Sequence, residues 1–564
     1  MNSRLFRRWV LVLLFSNVFF AVHALSQTNF DVLIKNGRVF DGSGNPWFAL
    51  DIAIRDGRIE RVAPAGTLPG EATRVVDASG LYVMPGIIDM HSHANSGFDH
   101  EEAQSRATIN NLKQGITTVV FSEGSVWPVD QRITDKTRAW STSGIGTNAA
   151  MFVGLSNLRR EVMQDPEATP TPQELEEMKR LAREAMTGGA YGIAVALDYW
   201  PAHFIPTEEI IAIAKEVAPM GGMFAAHMRS EGTRSLWWVE SDPSPRVTLL
   251  DAIAEMIHIS RQADIPVHIA HIKSTGVPFW GKSRHATALI EKARAEGVRV
   301  TADQYPYISS GPDSNTQLFK WEPYLGESIS FSTPRAERQT KARELKERIA
   351  TRMTEDPQFA RIVEKDVLHE ILARGGADHM FVLEFAPQSG YEGKTLAAIA
   401  AERGESLYET ALYLQLENDA RIRSYSMSEE DIKHYLTRDY ITVATDGSGL
   451  PGRHPRGYGT FPRVIRKYVL EEKVITLPFF VRKATSLPAA IMSFSDRGWI
   501  REGYWADVVV FDPDTIRDHA TFEDMDRYSD GVEYVLVNGK LVIDQGEYTG
   551  QLTGTVIERP TSSP

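Results

Sequence analysis

Two histidines, one residue apart, close an apolar run: Pro85-Gly86-Ile87-Ile88-Asp89-Met90-His91-Ser92-His93. On a strand, residues i and i+2 face the same side, so both imidazoles can point to one place and share a metal ion. His-x-His alone is a weak signal. It gains force at the C-terminal end of a first barrel strand, because barrel active sites lie on that face. Three later apolar runs end in the same way: Phe224-Ala225-Ala226-His227, His268-Ile269-Ala270-His271 and Val443-Ala444-Thr445-Asp446-Gly447. Each histidine taken singly reads as a packed or surface side chain. Five ligand-type residues at four strand ends read as a metal site. His268 is the bystander of its pair, because strand alternation turns it from the face of His271. Glu123 follows Thr117-Thr118-Val119-Val120-Phe121-Ser122 and is a sixth candidate. Its carboxylate bridges two metals, completes one site, or is an ordinary loop carboxylate. The chain has no cysteine, so any metal must rest on His, Asp, Glu or a modified Lys.

These side chains need elements to hold them. The middle of the chain alternates short apolar runs with amphipathic stretches. Candidate strands cover residues 86–89, 117–121, 149–153, 192–196, 222–226, 266–270, 298–302 and 440–444, with helices such as 173–186 and 208–218 between them. Eight strands separated by helices predict a (β/α)8 TIM-like barrel over residues 85–480. The stretch from about 308 to 436 exceeds any crossover helix and reads as an insertion that could wall the barrel mouth; residues 334–355 within it are charged and helical in pattern.

Both ends of the chain have strand texture. Asp31–Lys35 is followed by Asn36-Gly37 and Arg38-Val39-Phe40, which predicts a hairpin, and Asp56-Gly57 predicts another. Residues 506–511 and 535–543 look alike, the latter around Asn538-Gly539. Neither end has enough strands to bury a sheet alone, so residues 25–84 and 481–564 are expected to form one small β-sandwich.

Arg4, Arg7 and Arg8 precede an apolar run from Trp9 to about Val22, and Val22-His23-Ala24 offers a signal-peptidase cut. Residues 1–24 are therefore expected to be a signal peptide; the run is too short for a comfortable membrane span, and an uncleaved anchor is the alternative. An exported chain, periplasmic or secreted, with no stable membrane insertion after cleavage is the expectation. A net charge of -13, scattered along the chain, argues against nucleic acid as a partner. The oligomeric state is not legible.

The chain resembles the amidohydrolase superfamily and, within it, the N-acyl-D-amino-acid deacylases (D-aminoacylases). The resemblance runs over nearly the whole chain after residue 24. Its stretches include Pro85–His93, Gly189-Ala190-Tyr191-Gly192 with Leu197-Asp198-Tyr199-Trp200-Pro201, and Ala226-His227-Met228-Arg229-Ser230-Glu231-Gly232. Further stretches are Ala270-His271-Ile272-Lys273, Ala302-Asp303-Gln304-Tyr305-Pro306-Tyr307, Thr445-Asp446-Gly447, and His454-Pro455-Arg456-Gly457-Tyr458-Gly459-Thr460-Phe461-Pro462-Arg463. The resemblance implies metal ligation by His91, His93, His227 and His271, with Asp446 as general acid/base beside the metal. It implies that Lys273, Tyr305 and Arg456 bind the carboxylate of the amino-acid product. Judged without the family, Lys273 and Tyr305 are as readily structural, and Arg456 has a structural salt bridge as its alternative.

The chain also departs from that family. Ser122-Glu123-Gly124-Ser125 stands where D-aminoacylases often carry a metal-binding Cys in Gly-Asn-Cys-Gly, which puts Glu123 in its place and leaves one metal or two open. The fourth strand ends Val195-Ala196-Leu197-Asp198, with no Lys to carboxylate. Gly154-Leu155-Ser156-Asn157-Leu158-Arg159 lacks the family's His after Gly, which bears on the substrate. The expected activity is metal-dependent hydrolysis of a linear amide, with zinc as the metal and an N-acyl-D-amino acid as the small-molecule substrate. A dipeptidase or cyclic-amide hydrolase with the same site is the alternative, and a non-catalytic barrel scaffold a remote one. Trp237 and Trp238 line an apolar pocket, pack internally, or form an oligomer contact.

Overall fold

In this computed structural model, residues 29–559 are described except 69–70, 123–132, 241, 243–244, 311–315, 328, 330–332, 388 and 453. The expected signal peptide and Glu123 lie outside the described residues.

Eight parallel strands form the barrel: β1 (Ile87–Asp89), β2 (Ile116–Phe121), β3 (Asn148–Met151), β4 (Gly192–Ala196), β5 (Met223–His227), β6 (Val267–Ile269), β7 (Val300–Gln304) and β8 (Ile441–Val443). They lie in the segments read from the sequence, with ends displaced by a residue or two. Val153–Gly154 carries β3 onward to pair with β4. The ring closes above β8 and β1, where Gly447 and Ser448 pair in parallel with Ser92 and His93. Strands buried on both faces must be apolar nearly throughout. Here Ile193, Val195, Phe224, Val267, Ile269 and Val300 share one core with Ile210, Ile253 and Ile290 of the surrounding helices.

The helices start where local chemistry tells them to. Thr171 and Glu174 form a capping box ahead of Pro172–Thr187, and Thr248 and Asp251 form another ahead of Leu249–Ala263. Each box satisfies backbone N–H groups that the first turn cannot.

The two ends of the chain meet in a single nine-stranded sheet. The join is antiparallel pairing of Tyr82–Pro85 with Val508–Phe511. Val32, Ile52, Val83, Val508, Val510 and Leu536 share one apolar interior, while Val509, Phe511, Val535 and Ile543 pack against the barrel core. Asp56-Gly57 turns a two-residue hairpin, with Arg55 opposite Arg58 and both turn residues at positive φ (50° and 78°). The expected hairpin at Asn36-Gly37 is corrected: Asn29–Val39 is one strand with a bulge there. Residues on both sides of the bulge pair with the same neighbour, Phe48–Arg55, so the chain cannot reverse. A Cβ on Gly37 would meet Val83 Cγ2 at 2.6 Å, which accounts for the glycine.

Between β7 and β8 a separate apolar cluster gathers Leu318, Phe319, Val363, Val367, Leu396 and Ile422. The charged helix Arg335–Glu355 and the antiparallel pair Met380–Glu384 and Arg421–Ser424 belong to this segment. A buried ion pair, Arg234 to Asp366 at 2.7 Å, ties it to the loop after β5. It therefore reaches the C-terminal rim of the barrel.

Candidate active site

The C-terminal rim brings the strand-end residues together. Nε2 of His93 lies 3.0 Å from Asp446 Oδ1, and Nε2 of His91 lies 3.6 Å from the same oxygen. The His271 ring stacks on His91 at 4.8 Å, and the His227 ring meets His271 edge-on at 4.4 Å. His91, His227, His271 and Asp446 are buried, whereas the His93 side chain is 31% exposed and faces the mouth.

Local backbone geometry aims these groups. Asp446 sits at φ 48°, a left-handed conformation costing a non-glycine residue roughly 1–2 kcal/mol. It is held there because its N–H donates to His91 O at 2.8 Å and Thr445, just before it, is anchored on Asp89. Burial pushes the Asp89 carboxyl up to about 7, against the Thr445 hydrogen bonds. His271 is also at positive φ (33°), and its N–H donates to Asp303 Oδ1 at 2.8 Å. That turn lifts the ring out of the line of β6 and over His91.

His268 does not join the converging donors, as alternation along β6 implies. It is no idle neighbour, however. Its Nε2 lies 2.9 Å from Asp303 Oδ2, and Asp303 Oδ1 lies 3.7 Å from His91 Nδ1. Burial would raise the Asp303 carboxyl, but His268 and His91 hold it well below the usual range. Asp303 thus braces two of the imidazoles from beneath. Its signal was a lone carboxylate near the C-terminal end of a barrel strand, one residue before Gln304.

Lys273, Tyr305 and Arg456 gather beside the histidines. Arg456 Nη1 is 2.7 Å from Asp446 Oδ2, and its guanidinium lies 4.6 Å over the Tyr305 ring. Lys273 Nζ lies 5.4 Å from the same ring and pairs with Glu231. Burial would raise Asp446, yet Arg456 and His91, with the His93 hydrogen bond, hold its carboxyl far below the ordinary range. The Lys273 ammonium does the same for the buried Glu231. Tyr305 Oη is buried without a hydrogen-bond partner among the described residues.

Several contributors escaped the sequence reading. Glu231, four residues after His227, reaches 2.9 Å from His271 Nδ1. Asp198 Oδ2 is 3.7 Å from His227 Nε2, and the Tyr199 ring meets the His227 ring at 4.9 Å. His454 Nδ1 accepts the Arg456 N–H at 3.0 Å, so its Nε2–H donates to Ser309 O. Trp237 stands 6.3 Å from Trp200, ring to ring, in the segments that follow β5 and β4.

The donor set suits a divalent metal. Two overlapping groups, His91–His271–Asp446 and His227–Glu231–His271, each keep their ligand atoms within 4.8 Å of one another. Imidazole and carboxylate without thiolate fit zinc and neighbouring divalent ions. Four imidazoles packed around ionised carboxylates at a buried rim are otherwise a poor use of a protein interior.

A parallel barrel carrying such a cluster at its C-terminal rim is the architecture of a metal-dependent barrel hydrolase. The chain belongs to the amidohydrolase family, whose model matches residues 74–543. It is 32% identical over 553 residues to the D-aminoacylase of Alcaligenes xylosoxydans xylosoxydans, covering 94% of this chain and 98% of that one. It superposes with a TM-score of 0.71 on a D-aminoacylase with a binuclear metal centre, 30% identical, covering 94% of this chain and all of the other. An N-acyl-D-glutamate deacylase from Bordetella bronchiseptica, bound to zinc and a phosphonate mimic of the tetrahedral intermediate, also gives 0.71, at 29% identity and with 94% and 100% covered.

Proposed function

We propose that this chain is a zinc-dependent amidohydrolase that deacylates N-acyl-D-amino acids to a carboxylate and a free amino acid. One observation carries the reading: His91, His93, His227, His271 and Asp446 converge at one rim, directly beside Lys273, Tyr305 and Arg456. Metal chemistry and carboxylate recognition therefore sit side by side, as an N-acyl amino acid requires.

The four histidines and Asp446 would hold one or two divalent ions, with Glu123 as a further carboxylate ligand after the second strand. A divalent ion bound there supplies Lewis-acid polarisation of the carbonyl and lowers the pKa of water from about 15.7 toward about 7. Asp446, set beside His91, His93 and His271, would accept the proton of the attacking water and return it to the leaving nitrogen. Arg456, paired with Asp446 through Nη1, would bring its guanidinium to the substrate carboxylate. Lys273 adds a second positive charge, and Tyr305 Oη a hydroxyl without a hydrogen-bond partner among the described residues.

The test is a screen of N-acyl-D- and N-acyl-L-amino acids, dipeptides and hydantoins with zinc-loaded protein. Preferential release of D-amino acids is expected. Preferential turnover of dipeptides or hydantoins would replace this reading with the corresponding peptidase or cyclic-amide hydrolase. The same proposal places the enzyme outside the cytoplasm, periplasmic or secreted, on the strength of Arg4 to Ala24. N-terminal sequencing of the mature protein is expected to begin after Ala24.

A further inference from the structure

We propose that Glu231 is a positioning residue shared by both halves of the site: it orients His271 toward the metal and anchors Lys273 for the substrate carboxylate. This rests on the metal-centred reading above.

Glu231 Oε1 lies 2.9 Å from His271 Nδ1 and 3.6 Å from His227 Nε2. The Lys273 ammonium pairs with that same oxygen. On the other edge of the His271 ring, Nε2 faces Asp446 Oδ2 at 4.0 Å. An imidazole that ligates through Nε2 carries its proton on Nδ1, and that proton needs an acceptor to fix the ring. Lys273 Nζ is also close to Nδ1, at 2.7 Å, but an ammonium has no lone pair and cannot accept. Glu231 can. With the proton on Nδ1, Lys273 no longer donates to His271; it keeps Glu231 and has N–H groups left for a substrate. One carboxylate therefore sets the tautomer of a ligand and the position of a substrate-binding cation.

The experiment compares zinc-loaded wild type, Glu231→Gln and Lys273→Met. Competition against a chromogenic chelator reads zinc affinity, steady-state kinetics read KM and kcat, and side-chain 15N NMR with labelled histidine reads the His271 tautomer. Glu231→Gln is expected to lose about 10–100-fold in zinc affinity and to raise KM. Lys273→Met is expected to raise KM while holding zinc at least as tightly as wild type. The wild-type spectrum, which needs no variant to fold, is expected to show His271 protonated at Nδ1. Wild-type zinc affinity in Glu231→Gln, or a bare or metal-bound Nδ1 in wild type, overturns the role of Glu231 and leaves the metal site standing. A wild-type chain that takes up no zinc overturns both.

Discussion

Arg456 and Asp446 form a buried ion pair, Nη1 to Oδ2 at 2.7 Å, in contact with the histidine cluster. The carboxylate proposed to move the proton is thereby tied to the cation proposed to hold the substrate. Replacing either partner breaks this pair from a different side, so their replacements should differ in kind as well as in size.

Asp446→Asn removes the proton carrier and keeps the shape. We expect kcat to fall by about 10²–10⁴-fold or more, with zinc largely retained. Turnover and metal content measured on one preparation check this; undiminished kcat would remove Asp446 from the proton path.

Arg456→Met leaves a buried carboxylate without its cation. Breaking such a pair costs about 3–5 kcal/mol, read as a lower midpoint in chemical denaturation. KM for N-acyl amino acids should rise more than kcat falls, because the lost contact is to the substrate carboxylate. An unchanged KM would make Arg456 purely structural.

Lys483 is wholly buried at the foot of β8, where its ammonium donates to the carbonyls of Arg438 and Ile441. Burial lowers its pKa from 10.5 to about 7. Between these values the unfolded chain binds the extra proton, so folding stability gains as pH rises through that window. Lys483→Met should flatten this part of the stability–pH curve relative to wild type. A curve of identical slope in the two proteins would show that Lys483 does not titrate there.

Removing metal should abolish turnover and lower the thermal midpoint, because an ion that binds only the folded chain stabilises it. Acid should act by the same route: protons compete with the metal for the imidazole nitrogens, so zinc and activity should be lost together as pH falls. Parallel titrations of metal content and rate check this, and activity that outlasts the metal would contradict it.

The barrel and most of the rim were legible because two simple rules compound. Strands buried on both faces are written as apolar runs, and barrel chemistry sits at their C-terminal ends, so His91, His93, His227, His271 and Asp446 stood out by position. Glu231 and Asp303 did not, because their importance arises across elements. Asp303 matters through His268 and His91 on other strands, and Glu231 through the turn of His271 to φ 33°. No spacing in the chain encodes either relation. The Asn36-Gly37 turn misled for a related reason: whether such a pair closes a hairpin or makes a bulge depends on the neighbouring strand. The link from the insertion to the rim, Arg234 to Asp366, spans 132 residues and is equally invisible to local reading.

The central claim is that side chains from His91 to Asp446 share a metal at one rim. Anomalous diffraction at the zinc edge from zinc-loaded crystals tests it most directly. The account predicts a peak at ~2.0–2.2 Å from imidazole nitrogens of this histidine cluster, with Asp446 beside it. A zinc peak elsewhere, or none at this rim in fully loaded crystals, would contradict it.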